Sequence, residues 1–205
     1  MKNGFWVVCA VALVGVGCGG GGASGGGGTT AEGASTARAP SAPASGTQFA
    51  AAIDATLAAH PGALVMEVEI DDTHHVGFLE VEYFTADGTE SQEIFFDPGT
   101  MEVIEDRPEP TEAGEAESLA AVRAHLAAGR GDLRARIEDG SFTSHSMETV
   151  QEIELTMLEG HYVIACEVLR DGARSTMFHA IDGSYLGASA DALTYLAQHP
   201  ELEVR

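Results

Sequence analysis

The sequence predicts an α+β protein of two tandem units, each a helix followed by a three- to four-stranded antiparallel sheet, after a disordered N-terminal tether. Two observations lead to this prediction. Apolar residues recur at helical spacing in two separate segments, and each segment precedes stretches in which apolar and acidic residues alternate. Short turns containing Asp-Gly or Pro-Gly separate these stretches, as expected for antiparallel hairpins.

The first 17 residues have the pattern of a bacterial export signal. Lys2 precedes an apolar run from Phe5 to Val16, too short for a bilayer span of about 20 residues but suited to a signal peptide. The segment LVGVGC resembles a lipobox, although Gly15 stands where that pattern has a leucine-like residue. The resemblance implies lipid attachment at Cys18, and the glycine that follows indicates the outer membrane of a Gram-negative bacterium. The alternative is an ordinary signal peptide and a soluble exported protein.

Residues 18–47 consist mostly of glycine, serine, alanine and proline. Such a segment buries too little apolar surface to offset the entropy lost on ordering. We therefore predict a flexible tether that ends where the folded part begins, near Gln48.

The first unit is predicted over residues 48–106. Phe49, Ile53 and Leu57 share one face of a helix, which ends before Pro61. The segments LVMEVEI, FLEVEYF, SQEIFF and MEVIED then read as strands with an acidic outer face. The predicted outward-facing acids of the first two strands are Glu67, Glu69, Glu80 and Glu82.

The stretch EIDDTHHVGF places two aspartates and two histidines between the first two strands. A metal site needs three or four converging donors, whereas neighbouring side chains in a tight turn diverge. Aspartate and threonine also bond readily to nearby backbone groups in turns. We therefore predict a hairpin turn and no metal site.

The second half repeats the order of the first. An acidic linker at 107–116 precedes a second unit at 117–188, whose strands TVQEIELTM and YVIACEVL echo those of the first unit. An insertion at 130–148 carries Arg130, Arg134 and Arg136 and either extends the helix or forms a mobile flap.

A last helix at 189–205 is expected to pack back on the second sheet rather than to begin a third repeat. Units of this size are marginally stable alone, so we expect the two sheets to pack together or to share a helix layer.

The composition limits the partners. The chain has 10 Lys and Arg residues against 32 Asp and Glu residues, a formal net charge of −22. Nucleic acid is excluded because phosphate binding needs clustered cations, and an anionic membrane surface would repel the domain, so only an N-terminal lipid would hold it there. Basic proteins, basic peptides and divalent cations are electrostatically allowed.

The sequence contains none of the motifs G-x-S-x-G, H-E-x-x-H or C-x-x-C. Cys166, on the apolar face of a predicted strand, is interpreted as a buried thiol rather than a nucleophile. We therefore predict a protein that is not an enzyme and has no catalytic residues and no cofactor.

The order AIDATLAAHPGALVMEVEIDD…GFLEVEYFTADGTESQEIFFDPGTMEVIE resembles a PepSY domain, with Asp97, Pro98, Thr100 and Val103 at positions of the family's final hairpin. The second unit resembles it mainly through its likeness to the first. The resemblance implies an envelope protein without catalysis of its own that binds, inhibits or regulates an extracytoplasmic protein such as a peptidase. The alternative is a passive acidic envelope lipoprotein that binds divalent cations weakly.

Overall fold

An antiparallel sheet of eight strands forms the centre of the part of the chain described by this computed structural model, residues 39–88, 90–109, 115–142 and 146–200. The first half contains α1 (Phe49–Ala59), β1 (Leu64–Ile70), β2 (Leu79–Phe84), β3 (Ser91–Phe96) and β4 (Val103–Pro108). The second half contains α2 (Ala116–Ala127), α3 (Leu133–Glu138), β5 (Val150–Leu158), β6 (His161–Arg170), β7 (Ala173–His179), β8 (Tyr185–Gly187) and α4 (Ser189–Gln198). The predicted combination of helices and antiparallel strands is confirmed.

The strand order is β4-β3-β2-β1-β5-β6-β7-β8. Each half is a meander of four strands, and the first strands of the two halves, β1 and β5, pair antiparallel at the centre. We expected two sheets that pack together or share a helix layer. The two sheets are joined edge to edge into one, and helices of both halves pack on the same face of it. This pairing satisfies the backbone groups of two strand edges that would otherwise be open.

One face of the sheet carries the main hydrophobic core. Phe49 and Ile53 of α1, Val122 of α2 and Leu133 of α3 pack with apolar side chains from both halves of the sheet. A register shift in β1 between Val65 and Glu67 buries two successive apolar residues in this strand. The helices of the two halves therefore share one core, although their strands come from separate segments of sequence.

The C-terminal helix covers part of the opposite face. Ala192 and Leu196 of α4 pack against Val163, Ala165 and Phe178, which belong to β6 and β7. The last helix thus packs back on the second half, as expected, and residues 201–205 lie outside the described residues.

The predicted tether extends too far toward the C-terminus. Ser41 donates hydrogen bonds from its backbone N–H and its hydroxyl to the Asp97 carboxylate. Ser45 forms a capping box with Gln48 around a short 3-10 helix in which Gly46 is buried. Residues 41–47 are therefore part of the fold, because Ser41 bonds to the turn between β3 and β4 and Gly46 is buried.

Two other predicted boundaries differ from those in the structure. Strand β4 runs through Arg107 to Pro108, so the first unit extends beyond residue 106 into the predicted linker. The insertion after α2 forms the separate helix α3, whose start is capped by the Asp132 side chain, which accepts a hydrogen bond from the Ala135 N–H. Residues 143–145 of this insertion lie outside the described residues. No helix in the described ranges is long and apolar enough to cross a bilayer.

Candidate functional site: a glutamate-lined sheet face

Eight glutamates lie in two rows across the sheet face opposite α1, α2 and α3. In one row, direct cross-strand neighbours run from β3 through β2 and β1 to β5. In the other, they run from β2 through β1 and β5 to β6. We call this set the glutamate face. Its members are Glu93, Glu82, Glu67 and Glu154 in the first row and Glu80, Glu69, Glu152 and Glu167 in the second.

The rows exist because β1 and β5 pair in a particular register. Glu67 faces Glu154, and Glu69 faces Glu152, across the junction of the two halves. Side chains alternate between the two faces of a strand, so a shift of one residue would place one set of these acids in the apolar core. The acidic sides of the two halves thereby join into one continuous surface.

The glutamate face forms an open depression above β2 and β3. A cavity of about 520 Å³ is lined by several of its glutamates together with His74, Arg107 and Glu109. Within it, Glu80 and Glu93 are only 6% and 4% exposed. The other six glutamates are half-buried.

Crowding raises the pKa of most of these carboxyl groups. Burial, followed by repulsion from neighbouring glutamates, raises the pKa of Glu69 to about 8. The same causes raise the pKa of Glu80 to about 10, and burial with repulsion from Glu109 raises that of Glu82 to about 11. Burial, followed by repulsion from the Glu82 charge, also raises the pKa of Glu67. Like charges on directly opposite residues of a sheet repel, so full ionisation of the face is unfavourable.

The effect continues across the junction into β5. Burial and the Glu167 charge raise the pKa of Glu152 to about 7. Burial and the Glu152 charge raise the pKa of Glu154 to about 7 as well. These two groups therefore change their charge near neutral pH.

Cations lie at the rim of the glutamate face. Arg107 on β4 pairs with Glu93, Nε to Oε1 at 2.8 Å, and its guanidinium lies 5.2 Å from the centre of the Phe95 ring. On the far side, Arg174 on β7 pairs with Glu167 at 2.8 Å and with Asp72. Within the described ranges, neither arginine pairs directly with the glutamates of β1, β2 or β5.

The segment DDTHH forms a turn between β1 and β2, as predicted. The buried Asp71 carboxylate accepts hydrogen bonds from the Thr73 hydroxyl and from the backbone N–H groups of Thr73, His74 and His75. These bonds lower the pKa of Asp71 although burial opposes them. The His75 ring points to the rim, where its Nε2 lies 2.6 Å from Glu105.

Two groups of carboxylates on this face could hold a metal ion. In each group, one oxygen of every member lies within 4.8 Å of the others. Oxygen-only donors suit calcium or magnesium, although such groups are common without an ion. Of the acids and histidines in DDTHH, Asp71 alone belongs to one of these groups. The two groups are Glu67, Glu152 and Glu154, and Glu69, Asp71 and Glu80.

The other residues considered from the sequence lie elsewhere. Cys166 is fully buried on the helix-covered side, and burial raises the pKa of its thiol to about 12, which suits an inert core residue. Arg134 pairs with Asp54 and Glu138, and Arg136 pairs with Asp139. Arg130 and Arg134 line a second cavity of about 260 Å³ beside α1. Cys18 lies outside the described residues.

The comparisons with known proteins leave the family open. No protein-family model matches the chain, and no curated protein matches it. The chain is similar to the crystal structure of a candidate lipoprotein from Clostridium difficile 630, with 14% sequence identity and a TM-score of 0.36. The match covers 62% of this chain and 82% of that one. A TM-score this low carries no argument about fold or function, and the resemblance to PepSY domains stays a prediction from the residues.

Proposed function

We propose that this protein is a non-catalytic binding module of the cell envelope that holds a basic polypeptide segment on its glutamate face. The observation that carries the proposal is the continuous pair of glutamate rows, which no helix among the described residues covers over β1 to β3. Six of these glutamates have raised pKa values, and ionisation of so many neighbouring carboxyl groups is unfavourable in the free protein. A cationic partner relieves this repulsion.

The dimensions of the face suit an extended peptide. Neighbouring strands lie about 4.8 Å apart, so four glutamates in a row span about 15 Å. In an extended segment, every second side chain points the same way, at a spacing of about 6.6 Å. Two or three lysines or arginines of such a segment therefore reach carboxylates in one row.

The envelope location rests on the export signal and on Cys18, which predict a lipid-anchored protein. The net charge of −22 supports a basic partner and opposes nucleic acid. A peptidase is one partner of this kind, and regulation of a peptidase is the form of the proposal that the PepSY resemblance suggests.

The first test measures binding of a labelled peptide of alternating lysine and serine to the full chain by fluorescence anisotropy. Glu69→Gln/Glu152→Gln should weaken binding about tenfold, since it removes two adjacent carboxylates. The matched control is Glu148→Gln/Glu159→Gln, which makes the same chemical change at two exposed positions outside the face. Equal loss in both double variants would show attraction to net charge only and would contradict the proposal.

A second candidate function is the loose binding of divalent cations, which the two carboxylate groups favour. Calcium added to the full chain should then raise the melting temperature in a saturable way, and Glu67→Gln/Glu80→Gln, which changes one member of each group, should abolish this rise. A melting temperature that does not change with calcium, together with tight peptide binding, would leave the polypeptide as the ligand.

A further inference from the structure

We propose that the cavity beside α1 is a second binding site, which takes a small molecule with one carboxylate and an apolar chain of about six carbon atoms. We call it the α1–α3 cavity, because residues of both helices line it. Its apolar walls belong to the core on the helix-covered side of the sheet, so it is separate from the glutamate face. Binding here therefore does not depend on the proposed function of that face.

The walls of the α1–α3 cavity are aliphatic and come from both halves of the chain. Ile53 and Leu57 of α1 and Leu64 of β1 belong to the first half. Leu126 of α2 and Leu133 of α3 belong to the second. Ile53 and Leu133 are almost fully buried, whereas Leu57 and Leu64 are half-buried. An apolar ligand chain that covers such side chains gains free energy by leaving water.

The volume of the cavity limits the size of the ligand. The cavity measures about 260 Å³, which is less than the roughly 300–1,000 Å³ of sites for drug-sized molecules. One water molecule takes about 30 Å³ in the liquid, so there is room for on the order of eight non-hydrogen atoms. A short aliphatic chain fits this space, whereas the two long chains of a membrane lipid do not.

At the opening, Arg130 supplies a positive charge. The Arg130 side chain is exposed, lines the cavity and forms no ion pair with an acid among the described residues. Its Nη1 lies 3.3 Å from Nδ1 of the buried His125. Burial, followed by the Arg130 charge, lowers the pKa of His125, so this ring is neutral at pH 7 and does not offset that charge. A guanidinium binds a carboxylate through two parallel N–H···O bonds.

The loop between α2 and α3 fixes the position of Arg130. Gly129 ends α2 in the left-handed conformation, at φ +73°, and the Arg130 N–H then donates to the His125 carbonyl at 3.0 Å. Gly131 is also left-handed, and a Cβ there would lie 2.8 Å from the Tyr162 hydroxyl oxygen. That hydroxyl donates to the Arg130 carbonyl at 3.4 Å. A backbone fixed in this way loses little entropy when a ligand binds.

The other charged groups at the cavity already have partners. Arg134 pairs with Asp54, Nε to Oδ1 at 2.8 Å, and with Glu138 at 3.3 Å. The Asp132 carboxylate caps α3 by accepting a hydrogen bond from a backbone N–H at 3.0 Å. Arg130 is therefore the cation available to a ligand. One such charge among these acids favours a monocarboxylate over a phosphate group, which carries about two negative charges.

NMR of the full chain labelled with nitrogen-15, titrated with sodium heptanoate at pH 7, locates and measures the binding. Backbone signals of residues 129–134 and of α1 should shift in a saturable way, while those of the glutamate face stay unchanged. Acetate has the charge without the chain, and heptan-1-ol has the chain without the charge. Each should bind at least about tenfold more weakly than heptanoate.

Arg130→Gln should weaken the binding of heptanoate about tenfold and leave that of heptan-1-ol unchanged, because it removes only the contact with the carboxylate. The matched control is Arg170→Gln, which changes another exposed arginine at the far end of β6. This position lies about 26 Å from Tyr162 along the strand, at about 3.3 Å per residue. The affinity of this control variant for heptanoate should equal that of the wild-type chain.

Absence of saturable shifts around the cavity up to about 10 mM heptanoate would show that the cavity is not a binding site. Equal weakening by Arg130→Gln and Arg170→Gln would rule out recognition of the carboxylate by Arg130. Tighter binding at the same signals by a peptide that ends in leucine would replace the small molecule with a polypeptide C-terminus. None of these outcomes bears on the lysine-serine peptide, whose binding tests the glutamate face separately.

Discussion

Asp97 connects two segments of chain through one carboxylate. It is fully buried at the turn between β3 and β4 and accepts hydrogen bonds from the Ser41 N–H and hydroxyl and from the Gly99 N–H. These bonds, with that of the Ser41 hydroxyl foremost, lower its pKa. The matching turn of the second half brings Ser141 close to Gly183. There Asp182 is exposed, and among the described residues its side chain accepts one hydrogen bond, from the Ser184 N–H.

Asp97→Asn should lower the melting temperature by roughly 5 °C at pH 7, because an amide nitrogen replaces an oxygen that accepts from N–H or O–H groups. The control Asp182→Asn, at the exposed equivalent position, should change it by less than about 2 °C. Thermal unfolding followed by circular dichroism measures both. Equal small effects would mean that residues 41–47 are not fixed through Asp97.

At the scale of the element, α4 shows how one face of the sheet is divided. The strands β6 and β7 present Val163, Ala165 and Phe178 on the side where β1 and β2 present glutamates. The helix covers this apolar part. The glutamate face therefore stops at Glu154 in this row, where the neighbouring residue on β6 is Ala165. Alternation along a strand predicted which residues share a side, but the helix determines which part of that side is open.

Leu196→Ala should reduce the free energy of unfolding by about 2–4 kcal/mol, since Leu196 is buried between α4 and the sheet. The exposed Gln198, two residues further along the helix, provides the control Gln198→Ala, with an expected change below about 0.5 kcal/mol. Urea unfolding of both variants gives the comparison. A similar, small change in both would mean that α4 contributes little to the core.

At the scale of the whole molecule, the glutamate face and the net charge of −22 both lower the stability of the folded state as the pH rises. The raised pKa values of Glu69, Glu152 and Glu154 mean that the folded state binds protons more tightly than the unfolded state. Their contribution to stability is complete below the unfolded pKa of about 4.3 and is lost as the pH rises through 7 to 8. Asp71 and Asp97, with lowered pKa values, contribute stability that is lost as the pH falls below about 3.9.

We therefore expect the melting temperature of the full chain to be highest near pH 4–5 and to fall by several degrees toward pH 8. Differential scanning calorimetry across this range measures the effect. Repeating it in about 0.5 M NaCl separates the causes, because salt screens exposed charges far more than buried ones. A melting temperature that rises from pH 5 to pH 8 would contradict the raised pKa values of the glutamate face.

Some of the candidate site could be predicted from local pattern. The alternation in LVMEVEI and FLEVEYF identified Glu67, Glu69, Glu80 and Glu82 as one outward-facing acid surface. The same spacing of acids in EVE and EIE, at the first strand of each half, was a signal that the two surfaces are equivalent. That these surfaces merge could not be predicted, because nothing local specifies the β1–β5 pairing or its register.

The sequence by itself determined the helices α1, α2 and α4, the hairpins and the acid side of each strand, since these follow from periods of 3.6 and 2 residues and from turn chemistry. Only the tertiary structure decided that two sheets become one, that residues 41–47 join the fold, and that eight glutamates meet. The physical reason is that pairing between β1 and β5 depends on open strand edges and a shared core. The edges form only once each half has folded, and the shared core forms only once the two halves have packed together.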